Sequence, residues 1–217
     1  IMKLFSNDLG VDLGTSNVLI YVDKKGIVVR EPSVVAVDKN TGRILQVGAE
    51  ARNMLGRTPG NVVAMHPLKD GVISDHEMTV QMLQHLFRVS AKSKLFNPKP
   101  RVVICVPSGV TEVEERTVIN AAIEAGARRV YLVEEPLAAA MGANLDISVP
   151  KGHMVVDIGG GTTDIAVLTL GGVAVSSSIK MAGIAMDDAI VKHVRRKHGV
   201  IIGATTAEDL KIQIGCV

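Results

Sequence analysis

Two stretches of the chain repeat one pattern, and this repeat restricts the possible folds more than any other feature of the sequence. GVDLGTSNVLIYV occupies residues 10–22 and VVDIGGGTTDIAVLTL occupies residues 155–170. In each, an apolar residue, Asp, a second apolar residue and Gly precede several small or hydroxyl residues and an alternating apolar run. Alternation with a period of two is typical of a half-buried β-strand. Each stretch therefore predicts a strand, a glycine-rich turn and a second strand.

The residue types of the two turns suit a polyphosphate ligand. Glycine permits positive φ and a close approach of the backbone, so that consecutive N–H groups can converge on phosphate oxygens. Asp12 and Asp157, which precede the turns, would repel a bare phosphate but suit a hydrated Mg²⁺ ion that bridges phosphate oxygens. Hydroxyl donors are supplied by Thr15, Ser16, Thr162 and Thr163.

The alternative for either stretch alone is an ordinary turn, since glycine-rich turns between strands are common. Two copies at the starts of two similar strand sets favour a pair of hairpins that hold a polyphosphate from both sides. The common phosphate loops do not match. The chain has no G-x-x-x-x-G-K-[ST] motif, and GGGTTD leads into a strand, whereas Walker and Rossmann loops lead into a helix.

The remaining periodicity predicts an α/β protein. Apolar runs over 8–37 predict a meander of antiparallel strands, and the polar segment 38–64 predicts a small inserted subdomain with one short helix near 49–56. Residues 101–143 read strand, helix, strand, helix, an order that implies parallel neighbours. We expect a first domain over 1–145 and the start of a second over 146–217.

Helix signals add detail to this prediction. Apolar residues at helical spacing predict a helix over 76–92, and Thr111 with Glu114 predicts a capping box that opens the next one. Thr205 with Glu208 predicts another capping box. The sequence stops directly after this last helical pattern, so we expect a fragment of a longer chain.

Composition excludes several classes of function. The net charge is +2 and aromatic residues make up 2% of the chain, which argues against a nucleic-acid partner that stacks bases on aromatic rings. No apolar run approaches the roughly 20 residues that span a bilayer, and the two cysteines lack metal-ligand spacing. A cytoplasmic location fits these features.

The chain resembles the MreB family of bacterial actin-like ATPases, which belongs to the superfamily of actin, heat-shock chaperones and sugar kinases. The resemblance implies an actin-like (ribonuclease H-like) ATPase fold, with two lobes of mixed sheets and helices around a nucleotide cleft. It covers roughly the first two thirds of a full-length protein, so the second lobe is expected to be incomplete. The segments that carry it are DLGVDLGTSNVLIYV, GIVVREPSVVAVD, MLGRTPGN, PLKDGVISD, PRVVICVPSGVT, EAGARRVYLVEEPLAAAMGANL, MVVDIGGGTTDIAVL and TAEDLKIQIG.

The resemblance implies a role for particular residues. ATP and Mg²⁺ are the implied cofactors, with Asp12 and Asp157 near the metal. Glu135 and Thr162 fall where the family orients the attacking water, although Glu135 before Pro136 also suits a helix N-terminus. The implied phosphate contacts are Gly14, Thr15, Ser16, Asn17, Gly159, Gly160, Gly161 and Thr162, and the implied nucleoside contacts are Glu208, Asp209, Leu210 and Lys211.

Two departures from the family pattern bear on nucleotide binding. Ile184 stands where the family usually has Asp after Ala-Gly, and a missing carboxylate there would alter metal or nucleotide affinity. The chain also ends before the family's third glycine-rich motif, which packs on the adenine. We therefore expect weaker nucleotide binding and impaired polymerisation for a chain of this length.

The family further implies head-to-tail filaments at the inner face of the cytoplasmic membrane, slow ATP hydrolysis, and work with cell-wall elongation proteins in rod-shape determination. Leu95 and Phe96, flanked by basic residues, predict an apolar tip suited to an anionic membrane, and a helix end packed into the core is the alternative. The alternatives for function are a small-metabolite kinase, a chaperone-type ATPase of the same superfamily, or a fragment that does not polymerise.

Overall fold

The computed structural model describes residues 8–56, 60–91 and 99–216, and within them it contains thirteen strands and six helices. Leu95 and Phe96 lie outside the described residues, so the predicted apolar tip stays a prediction. The strands are β1 Asp8–Leu13, β2 Asn17–Val22, β3 Gly26–Pro32, β4 Val35–Asp38, β5 Ile44–Val47, β6 Val62–Met65, β7 Leu68–Lys69, β8 Val72–Ile73, β9 Arg101–Val106, β10 Arg129–Glu134, β11 His153–Ile158, β12 Thr163–Thr169 and β13 Gly172–Ile179. The helices are α1 Ala49–Arg52, α2 His76–Ser90, α3 Glu112–Glu124, α4 Glu135–Gly142, α5 Gly183–His198 and α6 Ala204–Ile214.

Five strands form the central sheet in the order β10-β9-β1-β2-β3. β1, β2 and β3 pair antiparallel, as the meander prediction requires, whereas β9 and β10 run parallel to β1. The parallel pairs follow from the predicted strand–helix–strand order, because a helical crossover returns the chain to the same edge. The sheet therefore brings the turn after β1 to the same end as the segments that follow β9 and β10.

The main core of the described residues lies between the central sheet and the helices α2 and α3. Val18 and Ile20 of β2 and Leu83 of α2 have exposed fractions of zero and belong to one apolar cluster. Alternate residues of β1 and β2 are buried, as expected for strands with one face on a core. This packing fixes the turn between β1 and β2 on a rigid support.

The fourth strand of the predicted meander belongs to a different sheet. β4 pairs with β5 and β6 in a small antiparallel sheet, in the order β5-β4-β6, and does not extend the central sheet. β-branched residues favour strands but do not indicate which sheet a strand joins. Ser33, whose hydroxyl donates to the carbonyl of Gly14 at 2.5 Å, lies at the change of direction between β3 and β4. The helix α1 packs against this small sheet and matches the predicted short helix near 49–56.

The second copy of the repeated pattern builds a second sheet in the same way as the first. β11, β12 and β13 pair antiparallel in sequence order and form the C-terminal sheet. In the register of β11 and β12, Asp157 lies opposite Asp164. The predicted internal repeat is therefore present as two strand–turn–strand units, although the proposed domain boundary at 145/146 stays a prediction.

The helix ends test the capping signals. Thr111 and Glu114 form the predicted capping box at the start of α3. The second predicted capping box is wrong, because α6 begins at Ala204 with Gly203 as its N-cap and no side chain caps it. Glu208 therefore lies in the second turn of α6, where its carboxylate pairs with Arg52 of α1.

None of the helices in the described ranges combines the length and the apolar character of a membrane span.

Candidate functional site

The glycine-rich turn between β1 and β2 and the one between β11 and β12 face each other in direct contact. A Cβ atom added to Gly160 would lie 1.9 Å from the Ser16 hydroxyl oxygen, and one added to Gly161 would lie 2.6 Å from the Thr15 hydroxyl oxygen. Such distances are far below van der Waals contact, so glycine at these positions is a condition for the two turns to meet. The glycines therefore permit close approach of backbone to backbone as well as of backbone to ligand.

A third turn, between the short strands β7 and β8, lies against both. The Gly71 amide donates to the Thr15 hydroxyl at 2.9 Å. Gly71 has φ of 78°, and its preceding residue Asp70 also has a positive φ of 51°, which suits the Asp-Gly turn of a tight hairpin. A Cβ on Gly71 would lie 2.8 Å from Pro107 Cγ and 2.9 Å from Thr162 Cγ2. This turn is thus packed between the two glycine-rich turns.

These contacts frame a cavity of about 370 Å³ at the meeting point of the central and C-terminal sheets. The predicted phosphate, metal and water residues reach it together from three separate segments of the chain, 12–17, 135 and 157–162. The cavity is lined by Asp12, Gly14, Thr15, Ser16, Asn17, Leu19, Arg30, Gly71, Cys105, Glu135, Ala138, Ala139, Asp157, Gly159, Gly160, Gly161 and Thr162.

The four predicted nucleoside residues are not brought to this cavity. Glu208 to Lys211 lie on α6, and Lys211 donates to the carbonyl of Gly183 at 3.0 Å and pairs with Asp187 at 2.8 Å. The amides of Gly183 and Ile184 in turn donate to the carbonyls of Gly159 and Gly160. The helix is therefore connected to the glycine-rich turn through the start of α5, and its predicted nucleoside role stays a prediction.

A buried carboxylate joins the two sheets behind the cavity. Asp164 of β12 is fully buried, and its Oδ1 accepts the Ser108 amide at 2.8 Å. The Ser108 hydroxyl donates to Glu134 Oε2 at 2.8 Å. Ser108, in the loop after β9, therefore binds both β12 and the end of β10. Asp164 Oδ2 is buried without a hydrogen-bond partner among the described residues.

Burial and neighbouring carboxylates give Glu135 unusual acid–base behaviour. Removal from water raises its pKa to about 8, and the charges of Asp164, Asp12 and Asp157 add to the rise. Like charges held close together in a poorly hydrated site disfavour ionisation. Glu135 begins α4 directly before Pro136, so the structural interpretation from the sequence also holds for this residue.

The carboxyl groups that line the cavity could bind a cation. Burial raises the pKa of Asp12, with a contribution from Asp157, and burial raises the pKa of Asp157, with a contribution from Asp164. Mg²⁺ is commonly bound by one or two carboxylates together with water and substrate phosphates. Asp12 and Asp157, which both line the cavity, would provide the two carboxylates of such a site. The residues therefore fit a magnesium–polyphosphate complex.

Sequence reasoning missed three residues of this site. Asp164 ends the DIGGGTTD motif. The available signal was that the motif has an aspartate on each side of its glycines, so that the two lie opposite each other on adjacent strands. Gly71 was marked by the Asp-Gly pair in PLKDGVISD. Arg30 carried no signal, because one arginine in an alternating strand usually faces solvent.

The pH dependence of stability tests the environment of Glu135. Its folded pKa of about 8 lies above the ordinary value of 4.5, so between these values the folded protein binds more protons than the unfolded chain. The free energy of unfolding then falls as pH rises through this window, by at most about 1.4 kcal/mol per pH unit. In metal-free thermal unfolding from pH 5 to 8, Glu135→Gln should lose less stability than the unmodified chain. Glu134→Gln is the matched control, since its amide oxygen can still accept the Ser108 hydroxyl. An identical pH profile for Glu135→Gln and the unmodified chain would contradict this electrostatic picture.

Comparison with characterised proteins agrees with this geometry. A family model described as MreB/Mbl protein matches residues 6–217. The chain is 54% identical to the cell shape-determining protein Mbl of Bacillus subtilis over 214 residues, which are 99% of the chain and 64% of the relative. It is 51% identical to the cell shape-determining protein MreB of Escherichia coli over 216 residues, covering 98% of the chain and 62% of the relative. The chain thus spans less than two thirds of these relatives.

Solved structures show the same fold. MreB5 of Spiroplasma citri bound to AMPPNP superposes with a TM-score of 0.88 at 42% identity, covering 96% of the chain and 62% of that structure. The MamK double helical filament superposes with a TM-score of 0.79 at 26% identity, covering 95% and 65%. The mixed α/β architecture is therefore actin-like, and the chain belongs to the MreB/Mbl protein family.

Proposed function

We propose that this chain supplies the phosphate-binding part of an actin-like cytoskeletal protein that binds ATP with Mg²⁺, hydrolyses it slowly and assembles into membrane-associated filaments that direct cell-wall synthesis. The observation that carries the proposal is the contact between the two glycine-rich turns, which frames a cavity lined by Asp12, Asp157 and Glu135. The MreB5 structures bound to AMPPNP and to ADP support the nucleotide part of the proposal.

The two turns hold the phosphates from opposite sides. Residues 14–17 and 159–162 line the cavity, and backbone amides of these turns, with the Thr15, Ser16 and Thr162 hydroxyls, would donate to phosphate oxygens. The amides of Gly14 and Gly159 instead close their own turns, since they donate to the carbonyls of Asn17 and Thr162. Asp12 and Asp157 would hold Mg²⁺, and the ion, when bound, neutralises the charge of the phosphates. Since phosphoryl transfer requires little covalent chemistry from the protein, positioning and charge stabilisation account for most of the catalysis.

Glu135 and Thr162 act on the attacking water in this proposal. Both line the phosphate cavity, and Thr162 is buried with an exposed fraction of 7%. The Glu135 carboxylate would accept a hydrogen bond from the water and orient it along the line of attack. Asp164, two residues after Thr162, fixes the second turn to Ser108 and so limits the movement of Thr162 relative to Glu135.

Hydrolysis and binding can be separated at Glu135. We expect Glu135→Gln to lower the ATP hydrolysis rate by about 10²- to 10⁴-fold, the usual contribution of a positioned general base. Nucleotide affinity should change little, because the phosphates are held by the two turns. Phosphate release and fluorescent-nucleotide titration measure the two quantities. Glu134→Gln at the preceding residue should keep both, because an amide oxygen can still accept the Ser108 hydroxyl. A parallel loss of binding and hydrolysis in Glu135→Gln would identify Glu135 as structural.

Filament formation is the second part of the proposal, and the MamK double helical filament supports it by fold. We expect a chain extended to the full length of its relatives to sediment with ATP more than with ADP and to form filaments in electron micrographs. The 217-residue chain should sediment less, since it spans only 62% of E. coli MreB. If the extended chain hydrolyses ATP without forming polymers under any nucleotide condition, the cytoskeletal function is wrong.

Membrane association rests on Leu95 and Phe96 and their basic neighbours, which suit the interface of an anionic bilayer. In flotation with vesicles that contain anionic lipid, we expect replacement of both residues by Ala to reduce the bound fraction several-fold, because two apolar anchors are removed. Val89→Ala, which removes an exposed apolar side chain near the end of α2, is the control. Equal flotation of the double variant and the unmodified chain would exclude this tip as the anchor.

A further inference from the structure

An ion pair joins the small sheet to the last helix. Arg52 ends α1 on the small sheet, and its guanidinium contacts the carboxylate of Glu208 on α6. The two residues are separated by 156 positions in the chain. The pair therefore links elements that belong to opposite sides of the phosphate cavity.

On one side, α1 is attached to the strand that lines the cavity. Glu31 of β3 accepts the Ala49 amide at the start of α1 at 2.9 Å. Arg30, the neighbour of Glu31 in β3, lines the cavity itself. Movement of α1 is thus coupled to this wall of the cavity.

On the other side, α6 is attached to the second glycine-rich turn. Lys211, one turn after Glu208, donates to the Gly183 carbonyl, and it also pairs with the buried Asp187 of α5. The Gly183 amide donates to Gly159 at 3.1 Å. Polar contacts therefore connect the second glycine-rich turn through the start of α5 to Lys211, and the helix α6 connects Lys211 to Glu208.

We propose that Arg52 is a positioning residue that holds α6 against the small sheet and so retains nucleotide in the cavity. The Arg52–Glu208 pair completes a ring of contacts around the cavity, made of β3, α1, α6, the start of α5 and the two glycine-rich turns. The first of these turns closes the ring, because it contacts the second turn and leads into β2, which pairs with β3. Release of nucleotide then requires the ring to open, and this pair is its point of opening. The proposal rests on the proposed nucleotide function.

The pair is suited to opening rather than to permanent closure. The side chains of Arg52 and Glu208 are 35% and 33% exposed, so water and salt screen their attraction. Partly exposed pairs of this kind contribute modestly to stability. The contacts of Lys211 with Asp187 and Gly183 are less exposed, since the two ionic side chains have exposed fractions of 26% and 11%. The ring should therefore open at Arg52–Glu208 before it opens within the α5–α6 pair.

The retention role is tested by the release rate of a fluorescent ATP analogue, measured with Mg²⁺ by stopped-flow displacement. We expect Arg52→Met to speed release by about two- to five-fold at low salt, the range of a partly exposed pair, and high salt to shrink the difference. Arg52→Lys should restore slow release, since it retains the charge. The control is Arg43→Met, which removes an exposed arginine from the turn before β5 in the same small sheet.

Action through Glu208 is tested in the Glu208→Gln background, where Arg52→Met should no longer change the release rate. Equal acceleration in both backgrounds, or none in the unmodified background, would overturn the proposal. Failure of the unmodified chain to bind the analogue would contradict the proposed function and the retention role together. The contact itself is then decided by thermal unfolding of the nucleotide-free single and double variants. Coupled effects support the contact, and additive effects overturn it.

Discussion

The hydrogen bond from the Ser108 amide to the buried carboxylate of Asp164 fixes the relation between the two sheets on which the site depends. A fully buried carboxylate is costly unless hydrogen bonds or a counter-charge compensate it. Asp164 obtains one such bond from the loop after β9, and the same serine binds Glu134 beside Glu135. The positions of the second glycine-rich turn and of the carboxylate that begins α4 are thus set by one residue between them.

The carboxyl groups of the cavity repel one another when ionised, and a bound cation would reduce this repulsion. Asp12, Asp157, Asp164 and Glu135 converge, and burial together with mutual repulsion raises the pKa of Asp12, Asp157 and Glu135. A protein built only for stability would avoid such a cluster. In the proposed function, a bound divalent ion would reduce the unfavourable electrostatics of the free protein. Ligand affinity and the stability of the cleft would then depend on the same few carboxylates.

Much of this arrangement was accessible from the sequence, because it lies in local patterns. The internal repeat predicted both hairpins and their facing glycines, and the Thr111–Glu114 signal predicted the start of α3. The sequence did not determine which distant strand or side chain becomes the partner when several are equally suitable. β4 leaves the central sheet although its residues suit either sheet. Glu208 pairs with Arg52 across the structure instead of capping its own helix, since a local cap and a distant ion pair compete for one carboxylate.

The turn at Gly71 has a consequence for how closely the sheets can pack. Thr15, which follows β1 of the central sheet, Pro107 of the loop after β9 and Thr162, which precedes β12, all meet at this one residue, which presents no side chain. A side chain at residue 71 would collide with the ring of Pro107 and the methyl group of Thr162. The joint between the two sheets therefore depends on an atom that is absent, and it leaves no room for a larger residue at this position.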